Sequence, residues 1–308
     1  MNALIFPLPS NENITECVSQ KLAGILGNAV IRRFPDGESY IRVESDATGK
    51  TAIIVAALRE PDDKFLQVIF LAATLKDLGA ARVILVAPYL AYMRQDRRFR
   101  SGEAITSVYF ARLISEWFDG LVTIDPHLHR RSSLDEIYTI PSVVMSAAPD
   151  ISEWIRENVP NPLLVGPDGE SEQWVKSVAE AANAPYLVLE KIRSGDRDVE
   201  VSIPHVEKWI EKTPVLVDDI ISTARTMIQT VRHLKNAGLP APVCIGIHAV
   251  FAGNAYEELL AAGASDIYTC DTIQHVSNSI CVADLIVEGV NQLRETSYAI
   301  DSELVHIV

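Results

Sequence analysis

Positive charge is scarce in this 308-residue chain: 27 Lys and Arg stand against 41 Asp and Glu, for a formal net charge of -14. A groove that tracks a nucleic-acid backbone needs clustered Lys and Arg to displace counterions, so that class of partner is excluded, while local basic clusters can still hold small anions. Cysteine is scarce as well. Cys17, Cys244, Cys270 and Cys281 have no CxxC spacing and sit in apolar stretches, which predicts reduced, buried thiols in a cytoplasmic protein and no metal or disulfide framework. Long apolar runs are absent: nothing reaches about 18 uncharged apolar residues, and the opening MNALIFPLPS has no basic leader ahead of an apolar region, so no membrane span is expected. What the chain does have is 48% apolar residues and 22% charged ones. That balance supports sizeable cores, and the length favours two domains.

Short β-rich runs alternate with amphipathic segments: TAIIVAAL (51–58), a helical 62–80, RVILVAPYL (82–90), a helical 105–118 and LVTID (121–125). Runs that are apolar throughout and separated by helices predict parallel strands with both sheet faces covered. The second half repeats the rhythm with PLLVGPD (162–168), a helix over 169–183, APYLVLEK (184–191), TPVLVDD (213–219), helices over 223–237 and 253–263, PVCIGIHAVF (242–251) and DIYTCDT (266–272). The fold class is therefore α/β, with two doubly wound domains related by duplication. Pro141 and Pro149 bracket a short strand at the boundary, which predicts domains over 1–145 and 146–289. A helical 281–295 is expected to pack back on the first half, so that 290–308 completes it.

In such sheets ligands gather beyond the carboxyl ends of strands. VLVDDIISTARTM (215–227) puts Asp218 and Asp219 directly after a buried strand, with Ser222, Thr223 and Thr226 where a helix begins. Open amides and the positive end of a helix cradle phosphate, and the carboxylates would face sugar hydroxyls or a metal; an N-cap with one surface acid would look similar. FPDGE (34–38) is turn chemistry in its own right, RQDRRFR (94–100) also suits a solvated basic loop, and LEKIRSGDRDVEV (189–201) has the composition of a mobile lid or of a plain hairpin with exposed bases. His127 and His129 stand two apart, yet no third ligand has the spacing a zinc site needs. ESDATGKT (44–51) ends like a phosphate-binding box but begins with Glu44 where glycine is required, so it is a turn.

VLVDDIISTARTM resembles the phosphoribosyl-pyrophosphate loop shared by type I phosphoribosyltransferases and ribose-phosphate pyrophosphokinases. RRFPDGESYIRV (32–43) and PYLAYMRQDRRFRSGEAI (88–105) resemble the two ATP-contacting segments of the pyrophosphokinases, closest to the archaeal-type form. That resemblance implies a type I phosphoribosyltransferase-like fold, with ATP on the N-terminal domain through Phe34, Asp36, Gly37, Glu38, Arg94 and Gln95. Ribose 5-phosphate would be held on the C-terminal domain by Asp218, Asp219, Ser222, Thr223, Ala224, Arg225, Thr226 and Arg193. It implies Lys191 and Arg193 as catalytic lid residues, and His127 with Asp168 as the residues associated with Mg²⁺. The implied reaction is diphosphoryl transfer from ATP to O1 of ribose 5-phosphate, in a homo-oligomer of dimers or larger.

The archaeal-type pattern that the chain resembles has Gly-Gly where Ala224 and Arg225 stand. Glycine there allows positive φ and close approach to phosphate, so a side chain forced into that conformation is expected to be strained. Three readings stay open beside the leading one: a catalytically silent regulatory relative, an enzyme for a related sugar phosphate, and a phosphoribosyltransferase.

Overall fold

The computed structural model describes residues 3–128, 130–167, 171–194, 198–202 and 208–305, with side chains described except at 173, 190–194, 198–202 and 296–305. The chain separates into two compact units, Met1–Ser146 with Ala283–Val308, and Ala147–Val282.

Unit 1 opens with β1 (Ala3–Pro7), α1 (Glu12–Lys21), β2 (Ile25–Leu26) and a hairpin of β3 (Ala29–Arg33) and β4 (Ser39–Val43). It continues through β5 (Thr51–Val55), α2 (Pro61–Asp77), β6 (Arg82–Ala87), α3 (Thr106–Trp117), β7 (Gly120–Ile124) and β8 (Ser142–Met145). Its six-stranded sheet has the order β2-β1-β5-β6-β7-β8, and every pairing in it is parallel. All five residues of β7 are buried, as a strand covered on both faces requires. α3 buries Ser107, Phe110, Ala111 and Ile114, the i, i+3, i+4, i+7 stripe of a helix laid on a sheet.

Unit 2 repeats the plan. α4 (Ala148–Asn158), with Pro149 in its first turn, precedes β9 (Pro162–Gly166), α5 (Glu172–Ala182), β10 (Tyr186–Val188) and a hairpin of β11 (Glu190–Ser194) and β12 (Asp198–Ser202). β13 (Thr213–Ile220), α6 (Arg225–Asn236), β14 (Val243–His248), α7 (Ala255–Ala262), β15 (Asp266–Cys270) and β16 (Asn278–Ile280) complete it, in the parallel order β10-β9-β13-β14-β15-β16. The turn at 34–38 joins β3 to β4, and Pro149 stands in the first turn of α4.

α8 (Ala283–Val305) belongs to unit 1. It approaches β7 closely at two glycines: a Cβ on Gly289 would lie 2.6 Å from Val122, and one on Gly120 would lie 2.7 Å from Leu293.

The cysteine expectation needs correcting. Cys244 and Cys270 are buried, whereas Cys17 and Cys281 are exposed. α1 buries Ile14, Thr15, Val18 and Ser19, a stripe that turns Cys17, like its neighbour Glu16, outward. No described helix is long and apolar enough to cross a membrane.

Candidate functional site

At the exit of β13 the burial falls from Val217, at 2% exposure, to half-buried Asp218 and Asp219. Asp219 accepts the amide of Ile220 at 2.8 Å, which fixes that carboxylate at the strand end. Ala224 then takes a left-handed conformation, φ 53° and ψ 11°, and α6 starts at Arg225 with no side chain capping it. Among the described residues no partner is present for the amides of Thr223, Ala224, Arg225 and Thr226. Four open donors at the positive end of a helix form an anion-ready turn. Thr223, Arg225 and Thr226 are exposed around it and Ser222 is half-buried.

The strain expected at the Ala224–Arg225 pair falls on Ala224 alone. Arg225 is an ordinary first residue of α6, and its neighbour Ala224 carries the positive φ. The reason is local: the chain must reverse between Ser222 and the helix, and Ala224 is the residue directly ahead of α6, whereas Arg225 is already helical.

Behind the turn, His248 at the end of β14 is 1% exposed. Its carbonyl accepts the amides of Ile221 at 3.1 Å and Val250 at 2.9 Å. Its Nδ1 lies 2.9 Å from the Thr272 hydroxyl. Gly246 makes room for the turn, since a Cβ there would meet Ile221 at 2.5 Å. Neither His248 nor Thr272 stands out in sequence, because a buried polar pair between two strand ends has no periodicity of its own.

Lys191 and Arg193 stand two positions apart on β11, opposite Val201 and Val199 of β12. The hairpin alternative for this segment therefore describes its backbone. Asp168 lies outside the described residues, as does His129.

In unit 1 the turn between β3 and β4 places Gly37 at φ 95°. Phe34 and Glu38 close it through an N–H···O bond of 2.8 Å, and Asp36 accepts the Glu38 amide at 3.3 Å. Phe34 is 40% exposed and meets Tyr40 edge-on. The Arg32 guanidinium lies over both rings, at 4.8 and 4.1 Å. The other face of the hairpin rests on α2: Arg33 donates to the Asp63 carbonyl at 2.6 Å. A cavity of about 400 Å³ lies there, lined by Arg33, Glu38, Asp62, Asp63, Leu66 and Phe70 among others.

The first turn of α2 also holds the segment after β6, because the Tyr92 hydroxyl donates to Asp62. Burial first, and then that carboxylate, push the Tyr92 phenol up to about 12. α2 thus draws the 34–38 turn and the 92–95 segment toward one helix end. Gln95 is engaged with α3, its Oε1 accepting from Thr106 at 3.0 Å and its carbonyl from the Ser107 amide at 3.3 Å. Asp96, almost wholly buried, accepts two bonds from Arg130 at 3.1 and 3.2 Å. That pair ties Arg94 and Gln95 to the segment after β7, where Asp125, at φ 35°, and half-buried His127 stand two positions apart. The tie was hidden because Asp96 stands among four arginines in the RQDRRFR run, which suits a solvated basic loop.

Two family profiles match the chain: residues 3–117 match the N-terminal domain of ribose phosphate pyrophosphokinase, and residues 133–284 the phosphoribosyl transferase domain. The ribose-phosphate pyrophosphokinase of Sulfurisphaera tokodaii is 33% identical over 280 residues, spanning 89% of this chain and 93% of that protein. That of Methanopyrus kandleri is 35% identical over 266 residues, spanning 85% and 89%. The crystal structure of phosphoribosylpyrophosphate synthetase from Mycobacterium smegmatis shares the fold, with a TM-score of 0.82 at 21% identity over 97% of this chain and 100% of that one.

Proposed function

This chain belongs to the ribose-phosphate pyrophosphokinase family, and we propose that it transfers the β,γ-diphosphoryl group of ATP to O1 of ribose 5-phosphate, giving 5-phosphoribosyl 1-diphosphate and AMP. The observation that supports this most is the exit of β13. Two half-buried carboxylates stand directly ahead of a turn with four open amides, which suits a sugar carrying hydroxyls at one end and a phosphate at the other. The match to the N-terminal pyrophosphokinase domain favours making the activated sugar over consuming it.

In this reading Asp218 and Asp219 accept hydrogen bonds from the ribose hydroxyls, and the turn at 222–226 binds the 5-phosphate through backbone N–H groups, with Arg225 adding a charge-assisted bond. The nucleotide is assigned to unit 1, with Phe34 against the base, Asp36, Gly37 and Glu38 beside it, and Arg94 and Gln95 from the segment after β6. O1 attacks the β-phosphorus in line, the bond from that phosphorus to the α-phosphate oxygen breaks, AMP departs with that oxygen, and the hydroxyl proton passes to solvent. Such a step needs positioning and cancellation of charge more than covalent help. Lys191 and Arg193 are proposed to supply cations to the transferring group, so Lys191→Ala should lower kcat by about 10²-fold or more, the scale of losing one transition-state donor. Unchanged turnover would remove Lys191 from the mechanism.

Mg²⁺ is the proposed metal. Among the described residues no three His, Cys, Asp or Glu gather as a metal cage. Mg²⁺ on nucleotides typically takes only one or two protein donors and completes its shell with phosphate oxygens and water. The exit of β7 offers a carboxylate and an imidazole, Asp125 and His127, and Asp168 is the further candidate. When bound, the ion neutralises charge on the triphosphate.

Incubation with ATP, Mg²⁺ and ribose 5-phosphate, followed by chromatography, should show AMP and the diphosphorylated sugar in equal amounts, with none after chelation. AMP formed only with another pentose phosphate would move the assignment to that sugar. ATP left intact with every sugar would point to a silent relative. Assembly into a homo-oligomer is part of the proposal and is read by light scattering.

A further inference from the structure

The turn proposed to take phosphate has no side-chain cap and a strained residue at its centre, so something behind it must hold its shape. Its first part, Ile221 and Ser222, is fastened to the segment 248–252 by three backbone bonds. Ile221 N–H donates to the His248 carbonyl at 3.1 Å, Phe251 N–H to the Ile221 carbonyl at 2.8 Å, and Ala252 N–H to the Ser222 carbonyl at 3.0 Å. Ile220 and His248, the last residues of their strands, are register partners. The geometry of the turn is therefore inherited from 248–252.

That segment is in turn fixed by side chains. The Thr272 hydroxyl has one proton, and it donates it to the Ile247 carbonyl at 2.8 Å. Toward His248 it can only accept, so the proton in the 2.9 Å contact sits on Nδ1 of the imidazole. Both side chains are 1% exposed, where a lost partner cannot be replaced by water. The end of β15, two and three residues ahead of Thr272, is held by Asn278, whose Nδ2 donates to Thr269 Oγ1 at 3.0 Å and to the Cys270 carbonyl at 2.9 Å. Phe251, at φ 34°, is kept in that conformation by ring contacts with His275 at 4.6 Å and Tyr256 at 5.3 Å.

We propose that His248 and Thr272 are positioning residues for the sugar phosphate: their buried hydrogen bond fixes the end of β14 and, through three backbone bonds, the turn at 222–226. The inference rests on the reading of that turn as the phosphate site.

Thr272→Val keeps the shape and removes the hydroxyl. It should raise KM for ribose 5-phosphate about tenfold, the effect of losing one buried hydrogen bond, while KM for ATP and kcat change by less than about twofold on the same basis. Thr272→Ser should restore the sugar-phosphate KM. His248→Asn, whose amide N–H can take the place of Nδ1, should resemble the parent, and His248→Gln should resemble Thr272→Val. Independently of turnover, histidine ¹⁵N shifts should report the Nδ1–H tautomer for His248, and amide shifts of 221–226 should move in Thr272→Val. An Nε2–H tautomer, equal effects on both substrates, or unmoved amides at 221–226 would overturn the inference. Thr223→Asp tests the underlying reading: an unaltered ribose 5-phosphate KM in that variant sinks the phosphate site, while the tautomer and amide shifts still judge the strut.

Discussion

Strain in this protein is concentrated where ligands are expected. Among the described residues, nine other than glycine take positive φ, and six of them, Ser10, Glu60, Tyr92, Asp125, Ala224 and Phe251, follow the carboxyl ends of β1, β5, β6, β7, β13 and β14. The remaining three, Ala23, Asn161 and Asn183, follow helices, where a left-handed residue is an ordinary terminator. A left-handed conformation costs an alanine roughly 1–2 kcal/mol, so Ala224→Gly should stabilise unit 2 by about 0.5–1 kcal/mol once the greater freedom of glycine in the unfolded chain is subtracted. The unfolding midpoint and slower amide exchange at the start of α6 would register it, and Arg225→Gly should show no such gain. His233, in the last turn of α6, makes a separate prediction. Its Nε2 is buried with no partner among the described residues, and burial lowers its pKa below the usual 6.5. The unfolded chain therefore binds the proton more readily, so the stability this group contributes is present above pH 6.5 and is lost as pH falls below it. Titrating stability from pH 7.5 to 5 should show that loss, and His233→Gln should flatten it.

The strands and helices that sequence periodicity announces are those whose pattern is set by burial alone. β7 is buried at every residue and α6 carries a clear apolar stripe at Met227, Ile228, Val231 and Leu234, so both were legible. The β3–β4 hairpin was legible from Pro35, Asp36 and Gly37. Its counterpart on β11 and β12 was legible only as one of two alternatives, because a Ser-Gly-Asp-Arg-Asp stretch between two β-like runs suits a mobile lid as well as a hairpin. The candidate site was readable where it is written in consecutive residues, as at 218–226. It was not readable where contacts join distant stretches, as with Asp96 to Arg130 or His248 to Thr272. Gly246 belongs to the second kind. It looks like a weak residue in a strand, yet a Cβ there would meet two atoms of Ile221, at 2.5 and 2.6 Å, and Ile221 is 1% exposed and cannot swing away. Gly246→Ala should cost about 1–3 kcal/mol as overpacking and raise the KM for the sugar phosphate. Adding Ile221→Val, which deletes the nearer of the two clashing atoms, should recover part of both losses, and a double-mutant cycle with no coupling would show that the two positions act apart.

Duplication accounts for the order of elements more fully than for the chemistry each half carries. β1 through β8 and β9 through β16 follow the same sequence of sheet strands, hairpin and helices, and in each sheet the hairpin lies between the second strand and the third in chain order. The two hairpins occupy one topological place and bear different candidates, Phe34 to Glu38 in unit 1 and Lys191 with Arg193 in unit 2. Each half ends in a helix, α4 after β8 and α8 after β16, and each of these helices belongs to the other half's compact unit. Unit 1 is therefore incomplete until the chain has passed through unit 2, because α8 covers β7 with Gly289 against Val122 and Leu293 against Gly120. Removing the helix would take away the burial of Ile286, Val290 and Leu293, which are fully buried, and uncover the sheet face beneath them, at about 1.5–3 kcal/mol for each side chain. Truncation after residue 282 should consequently strip amide protection from β7, β8 and α1 while leaving β13 and β14 protected, as followed by hydrogen exchange. Loss of protection in both units together would show that α8 stabilises the chain as one cooperative body and that unit 2 does not hold its fold without it.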